Sequence, residues 1–189
     1  MKEALQRLGR TKTVIDRGFS RLGPELKADD AADRALMLLS CRSVAVSNAL
    51  MVLVQHNHAV EALPLLRSLL ELAAGMRWIA AADSAARAKD FLEEYARPQW
   101  DGIWSDRRIR ERCAAVGFPD PVREKVQLWC RAHQWGNAAG LPWAHVFAAP
   151  QPPDAPASEV LEAAVALMGE AVAALERRWP GRFPTDQVG

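Results

Sequence analysis

The chain is expected to be all-α: a single helical bundle of six to seven helices with a long Pro/Gly-rich loop before the last helix. Composition is the first reason, because hydrophobic residues make up 50% of 189 positions while there is one Tyr and only five Phe, and abundant Ala and Leu favour helix. Periodicity is the second, since apolar residues recur at spacings of three and four along most of the chain. The third is the gathering of Gly136, Gly140, Pro142, Pro150, Pro152, Pro153 and Pro156 into one stretch, 136–157, too rich in breakers to be helix and too long for a simple turn. A chain of this length buries roughly 70% of its unfolded surface without disulfides or metals. Residues 1–180 therefore read as one domain, followed by a loose C-terminal tail, 181–189.

Each element has its own signature. Leu5, Leu8, Ile15, Phe19 and Leu22 mark an amphipathic first helix that ends near Gly23 and Pro24. Asp29, Asp30 and Asp33 put negative charge at the start of a second helix, about 31–56, where the helix dipole favours it. That helix is apolar almost all round and is expected to sit centrally. Ser40, Ser43, Ser47 and Asn48 share one arc that lets a neighbour approach, with Arg42 pointing the other way. A third helix, about 58–82, follows the His56-Asn57-His58 stretch, and Pro64 early in it implies either a kink or a start nearer residue 63. Its stripe of Leu65, Leu69, Leu72, Met76 and Ile79 lies opposite Arg67, Glu71, Ala74 and Trp78. Asp83 and Ser84 are N-cap candidates for a fourth helix, Ala85 to Arg97, that stops at Pro98. Residues 100–117 hold a short charged helix, and Asp120-Pro121 opens another that reaches about Trp135. Ser158 caps the last helix, which ends at Trp179 before Pro180.

Several classes of function are excluded at this level. Twenty-four basic against 23 acidic residues leave a net charge of +1, so no global field draws the chain to nucleic acid or an anionic membrane. Cys41, Cys113 and Cys130 show neither a disulfide framework nor a C-x-x-C zinc spacing and are expected to be buried, reduced thiols of a cytoplasmic protein. The N-terminus lacks the apolar run of a signal peptide. Fifteen of residues 35–54 are apolar, but Arg42 sits among them, and an Arg near the centre of a span costs about 2.5–3.5 kcal/mol. A buried helix of a soluble bundle is the better reading, with no membrane partner.

Metal chemistry has no foothold, because H-E-x-x-H, H-x-x-x-H and paired E-x-x-H spacings are all missing among His56, His58, His133 and His145. No cofactor is expected. Nucleophilic catalysis lacks G-x-S-x-G, a phosphate-binding glycine loop, and a cysteine beside a base.

The segment A-x-x-L-x-R-S-L-x-E-x-x-x-x-x-x-W-I, followed by an R-A-x-x-F helix, is carried by Ala62, Leu65, Arg67, Ser68, Leu69, Glu71, Trp78, Ile79, Arg87, Ala88 and Phe91. In it the chain resembles a family of uncharacterised bacterial all-helical proteins, a domain of unknown function with an R-S-L-x-E central helix. The resemblance implies a single all-α domain with a polar, histidine-containing segment before the last helix, for which His133 and His145 are the candidates, and it implies no activity.

Arg67 and Glu71, one turn apart on a face crowded by Leu63, Leu70, Ala74 and Trp78, are either an intrahelical ion pair or the core of a site. Trp100, Trp104, Trp129, Trp135 and Trp143 cluster in one third of the chain. With Trp78 they mark a groove for a ligand or partner protein, as Trp favours interfaces. Arg107, Arg108, Arg110 and Arg112 read as a solvated face balanced by Asp101, Asp106 and Glu111, or as phosphate holders.

The reading these observations favour is a cytoplasmic interaction or regulatory protein, a homodimer with a protein or small-molecule partner, placed in stress or phage defence by analogy with helical proteins of similar build. The alternative is an enzyme acting on RNA or a phosphorylated small molecule through Arg67, Glu71, His133 and His145.

Overall fold

The computed structural model describes residues 1–23, 25–96, 106–133 and 155–188. Among them are seven α-helices and no strand: α1 (Lys2–Leu22), α2 (Ala31–Gln55), α3 (Leu63–Ala80), α4 (Ser84–Ala96), α5 (Asp106–Ala115), α6 (Asp120–Ala132) and α7 (Ala157–Arg178), then a short 3-10 turn, Thr185–Gln187. The protein is all-α. The breaker-rich stretch before α7 lies almost wholly outside the described residues.

The centre of the bundle is α3. It packs against α2, α4, α5, α6 and α7, and Leu66, Leu69, Leu70, Met76 and Ile79 are fully buried. Pro64 falls in its first turn, where the missing N–H costs nothing because first-turn donors have no intrahelical acceptor. The second core helix is α7, whose Val160, Leu161, Leu167, Met168, Val172 and Leu175 are buried. The half-buried Arg77 joins these two helices through an ion pair with Glu170 and donates to the Val116 carbonyl at 3.0 Å.

Helix α2 departs from the expected central position. Its serine arc does face inward, since Ser40, Ser43 and Ser47 are buried and donate to the carbonyls of Leu36, Leu39 and Val44, which satisfies each hydroxyl locally. Arg42 points outward as expected. The remaining surface of the helix is uncovered: Leu38 is 57% exposed and Val52 55%. In length and composition α2 is apolar enough to cross a membrane, yet only 39% of its most apolar 18-residue window is buried. Uniform apolarity thus marks a helix that packs on α1, α3, α4 and α7 along one side and leaves the other side exposed.

The N-terminus of α2 is held by charge. The Asp30 side chain accepts from the amides of Ala32 and Asp33 at 2.8 and 3.0 Å, an N-cap. Arg178, in the last turn of α7, reaches Asp30 at 3.0 Å and Asp33 at 2.7 Å. Burial works to raise the Asp30 pKa, but the two backbone N–H groups and the Arg178 charge outweigh it, holding the carboxyl below its usual range.

One further expectation is corrected. The last helix starts at Ala157 after an N-cap Pro156 and has no side-chain cap, so Ser158 lies within its first turn. Beyond α7 the chain turns back through Glu176. Glu176 accepts from the amides of Gly181 and Phe183 at 2.6 and 2.7 Å, and Gly181 takes a positive φ of 78°, which only glycine adopts freely. Phe183 is thereby driven into the core, fully buried against Phe19 and Trp179.

Candidate functional site

The polar side of α3 is built by its own register. Arg67, Glu71, Ala74 and Trp78 fall within about 60° of one another at 100° per residue, and α5 and α6 pack on the same helix. Arg67 Nε donates to Glu71 Oε1 at 3.1 Å. The Glu71 side chain is 11% exposed and that of Arg67 30%, so the pair is half-sheltered rather than solvated. With Arg preceding Glu the orientation is the weaker one for an isolated helix, and packing against neighbouring helices holds it in place.

Two turns further on, Trp78 lies close to two guanidinium groups. The Arg87 carbon sits 5.2 Å from its ring centroid and the Arg112 carbon 5.0 Å. Arg87 also donates to the Trp78 carbonyl at 2.8 Å, and Arg112 lies 5.6 Å from the Phe91 ring. Arg112 is 9% exposed, so the reading of its helix as a uniformly solvated basic face is wrong at this position. Ile109, Arg112 and Cys113 share the inward side of α5, and the Ile109–Cys113 spacing of four was the signal that Arg112 turns in with them. A cation over aromatic faces in a sheltered place is worth about 2 kcal/mol. Trp78 is therefore already in contact with two of the protein's own cations.

At the other end of the face Arg67, Leu70, Ile109, Val126, Gln127, Cys130 and Arg131 line a cavity of about 10 Å³, room for about one water molecule. Among the described residues the enclosed Gln127 Nε2 has no hydrogen-bond partner, and a single water in that space would satisfy it. Cys130 Sγ lies 3.4 Å from the Leu63 carbonyl, tying α6 to the start of α3.

The sequence candidates are distributed as follows. Arg67 and Glu71 meet directly, and Arg131 joins Arg67 around one small cavity. His133 stands half-buried at the C-cap of α6, two residues beyond Arg131, its amide bonded to the Trp129 carbonyl at 3.0 Å. Trp129 is 2% exposed and belongs to the core rather than to a groove. His145, Trp100, Trp104, Trp135 and Trp143 lie outside the described residues. Arg87 and Gln127 were not anticipated as parts of this face. Gln127 had no sequence signal, because a lone amide in an amphipathic helix reads as surface.

The described part of this face offers hydrogen-bond donors and charge. Among the described residues no three His, Cys, Asp or Glu side chains gather in a way that could hold a metal ion. Burial, helped by the Asp120 charge and only partly offset by Arg123 and Arg77, pushes the Cys113 thiol up to about 11, so it carries no thiolate at neutral pH. Cys130 is also buried, whereas Cys41 is exposed on α2, contrary to the expectation that all three are interior. Titration of the folded single chain, at concentrations too low for association, with an aromatic disulfide reagent should modify Cys41 alone. Rapid reaction of two or three thiols without denaturant would contradict this burial.

Comparison with known proteins adds a boundary rather than an activity. Residues 33–117 match the model of a family of unknown function, DUF5677, a stretch that runs from the first turn of α2 to just past α5 and includes Arg67, Glu71, Trp78, Arg87 and Arg112. No curated protein and no solved structure matches the chain.

Proposed function

We propose that the protein is a non-catalytic interaction module that works as a homodimer through the outward face of α2. The observation that carries this reading is the exposure of large apolar side chains on the longest helix: Leu38 and Val52 are more than half exposed and Met37 more than a third. Isolated exposed apolar residues need no explanation, but several on one helix face are a usual mark of an interaction surface. The Arg67 face supports the same reading from the opposite side. Its Trp lies close to two arginines and its cavity is the size of one water, which suits a rigid scaffold better than a substrate site. Cytoplasmic location, and a part in stress or phage defence, belong to the proposal on the analogy stated above.

Leu38→Glu tests it. The position is exposed and Glu is a good helix former, so folding should be preserved within about 0.5 kcal/mol. Two buried carboxylates per dimer should weaken association by at least about tenfold, read as a shift to the monomer by size-exclusion chromatography with light scattering. An unchanged dimer would remove α2 from the interface.

A second reading, an enzyme acting on RNA or a phosphorylated small molecule, draws on one observation: Arg67, Gln127 and Arg131 place donors around a single cavity with His133 nearby. Turnover of labelled RNA by the unaltered protein, lost in Arg131→Ala with folding intact, would favour this reading over the first.

A further inference from the structure

We propose that α2 pairs with α2 of a second copy in antiparallel fashion, about a twofold axis passing beside Ala45. This rests on the reading of the protein as a homodimer and adds the geometry of its interface. The exposed apolar residues nearest the centre of the free face are Leu38, Cys41, Ala45, Ala49 and Val52. They stand at −7, −4, 0, +4 and +7 from Ala45, and at 100° per residue they lie within about 40° of its direction. Reversing the helix about Ala45 therefore maps the pattern onto itself: large at both ends, small in the middle. A twofold interface requires such self-complementarity, because each residue meets its counterpart on the opposite side of the axis. Leu38 comes to lie beside Val52 of the second copy, and Cys41 beside Ala49. The three small central residues let the two helix axes approach closely.

Charge selects this orientation over the parallel one. Arg34 is exposed and lies about 20° from the centre of the same face. In a parallel pair its guanidinium would stand level with its own copy, and the two Arg42 side chains would be level as well. Like charges juxtaposed across an interface oppose association. In the antiparallel pair the two Arg34 positions are about 33 Å apart along the axis and the two Arg42 positions about 9 Å, at 1.5 Å per residue. Arg34 then faces the end of the second helix, at His56, where the C-terminal dipole favours a cation.

Cys41 makes the orientation measurable. Antiparallel pairing keeps the two native Cys41 sites about 12 Å apart along the axis, beyond disulfide reach, but brings Cys41 beside position 49. The experiment is mild copper-phenanthroline oxidation of the full chain and of Ala49→Cys, read on non-reducing gels, with sedimentation of the reduced proteins run alongside. The expected result is a non-covalent dimer for the unaltered chain and a covalent dimer for Ala49→Cys that disappears when Cys41→Ser is added. Efficient cross-linking of the unaltered chain through Cys41 would overturn the antiparallel arrangement in favour of a parallel one. A dimer in sedimentation with no cross-link in Ala49→Cys would overturn the pairing while leaving dimerisation standing. A monomer in sedimentation would sink dimerisation itself, and a monomer that floats with lipid vesicles would make the face a membrane-binding surface instead.

Discussion

Phe183→Ala is expected to destabilise the protein by about 3–5 kcal/mol, the range for removing a fully buried aromatic side chain. Phe183 is 0% exposed, with its ring 5.2 Å from that of Phe19 in an edge-on arrangement and 5.9 Å from that of Trp179. It also lies over Gly18 of α1, where an added Cβ would come within 2.2 Å of the ring. The sequence uses glycine there for space, since a helix interior otherwise prefers alanine. Gly18→Ala alone should therefore cost about 1–3 kcal/mol by overpacking. Combined with Phe183→Ala it should become nearly neutral or stabilising, because the new methyl enters the vacated volume. That non-additivity in a thermodynamic cycle is the specific signature of contact. Urea denaturation of the four proteins measures it. A loss below about 1 kcal/mol for Phe183→Ala would mean that the C-terminal segment is not docked.

Arg178→Ala is expected to cost about 2–4 kcal/mol, somewhat below the range for breaking a fully buried pair, because Arg178 and Asp30 remain partly solvated. The loss comes mainly from Asp33, which is 4% exposed and receives two of the three Arg178 hydrogen bonds, at 3.0 and 2.7 Å. Its other oxygen accepts only the Lys27 amide at 3.2 Å. Since a kcal/mol shifts the melting temperature of a chain this size by about 2–4 °C, a fall of roughly 5–15 °C is expected. Arg178→Lys should recover part of this, as a point charge cannot reproduce the guanidinium fork.

The pH dependence has a definite sign. A carboxyl whose folded pKa is depressed contributes stability above its unfolded value, and that contribution is lost as pH falls through the folded value. Asp30 is of this kind, so the unaltered protein should lose stability below about pH 4. The difference between it and Arg178→Ala should narrow over the same window. Equal differences at neutral and acid pH would show that the guanidinium acts by packing alone.

What the sequence disclosed followed from local patterns. The start of α2 was announced by Asp30 and Asp33, the start of α3 by Pro64, and the Arg67/Glu71 pair by two charges four residues apart in an apolar run. What stayed hidden depended on distant partners. Arg178 pairs with acids 145 and 148 residues away, which no local window records. The outward position of α2 was missed because hydropathy measures how apolar a helix is, not what covers it. Phe183 reads as a lone aromatic among prolines and polar residues, and its burial depends on Gly18, far back in α1. Arg112 was masked by its basic neighbours, although its register beside Ile109 and Cys113 placed it inside.

Coverage of the exposed face of α2 by a second copy is what makes the protein a homodimer. Sedimentation equilibrium of the unaltered, reduced protein over a range of concentrations measures this without a probe or a mutation. A mass of twice 20.8 kDa that drops to a single chain on dilution, and drops sooner in Leu38→Glu, is the predicted result. A single-chain mass at every concentration would contradict it and leave the apolar face of α2 to another partner.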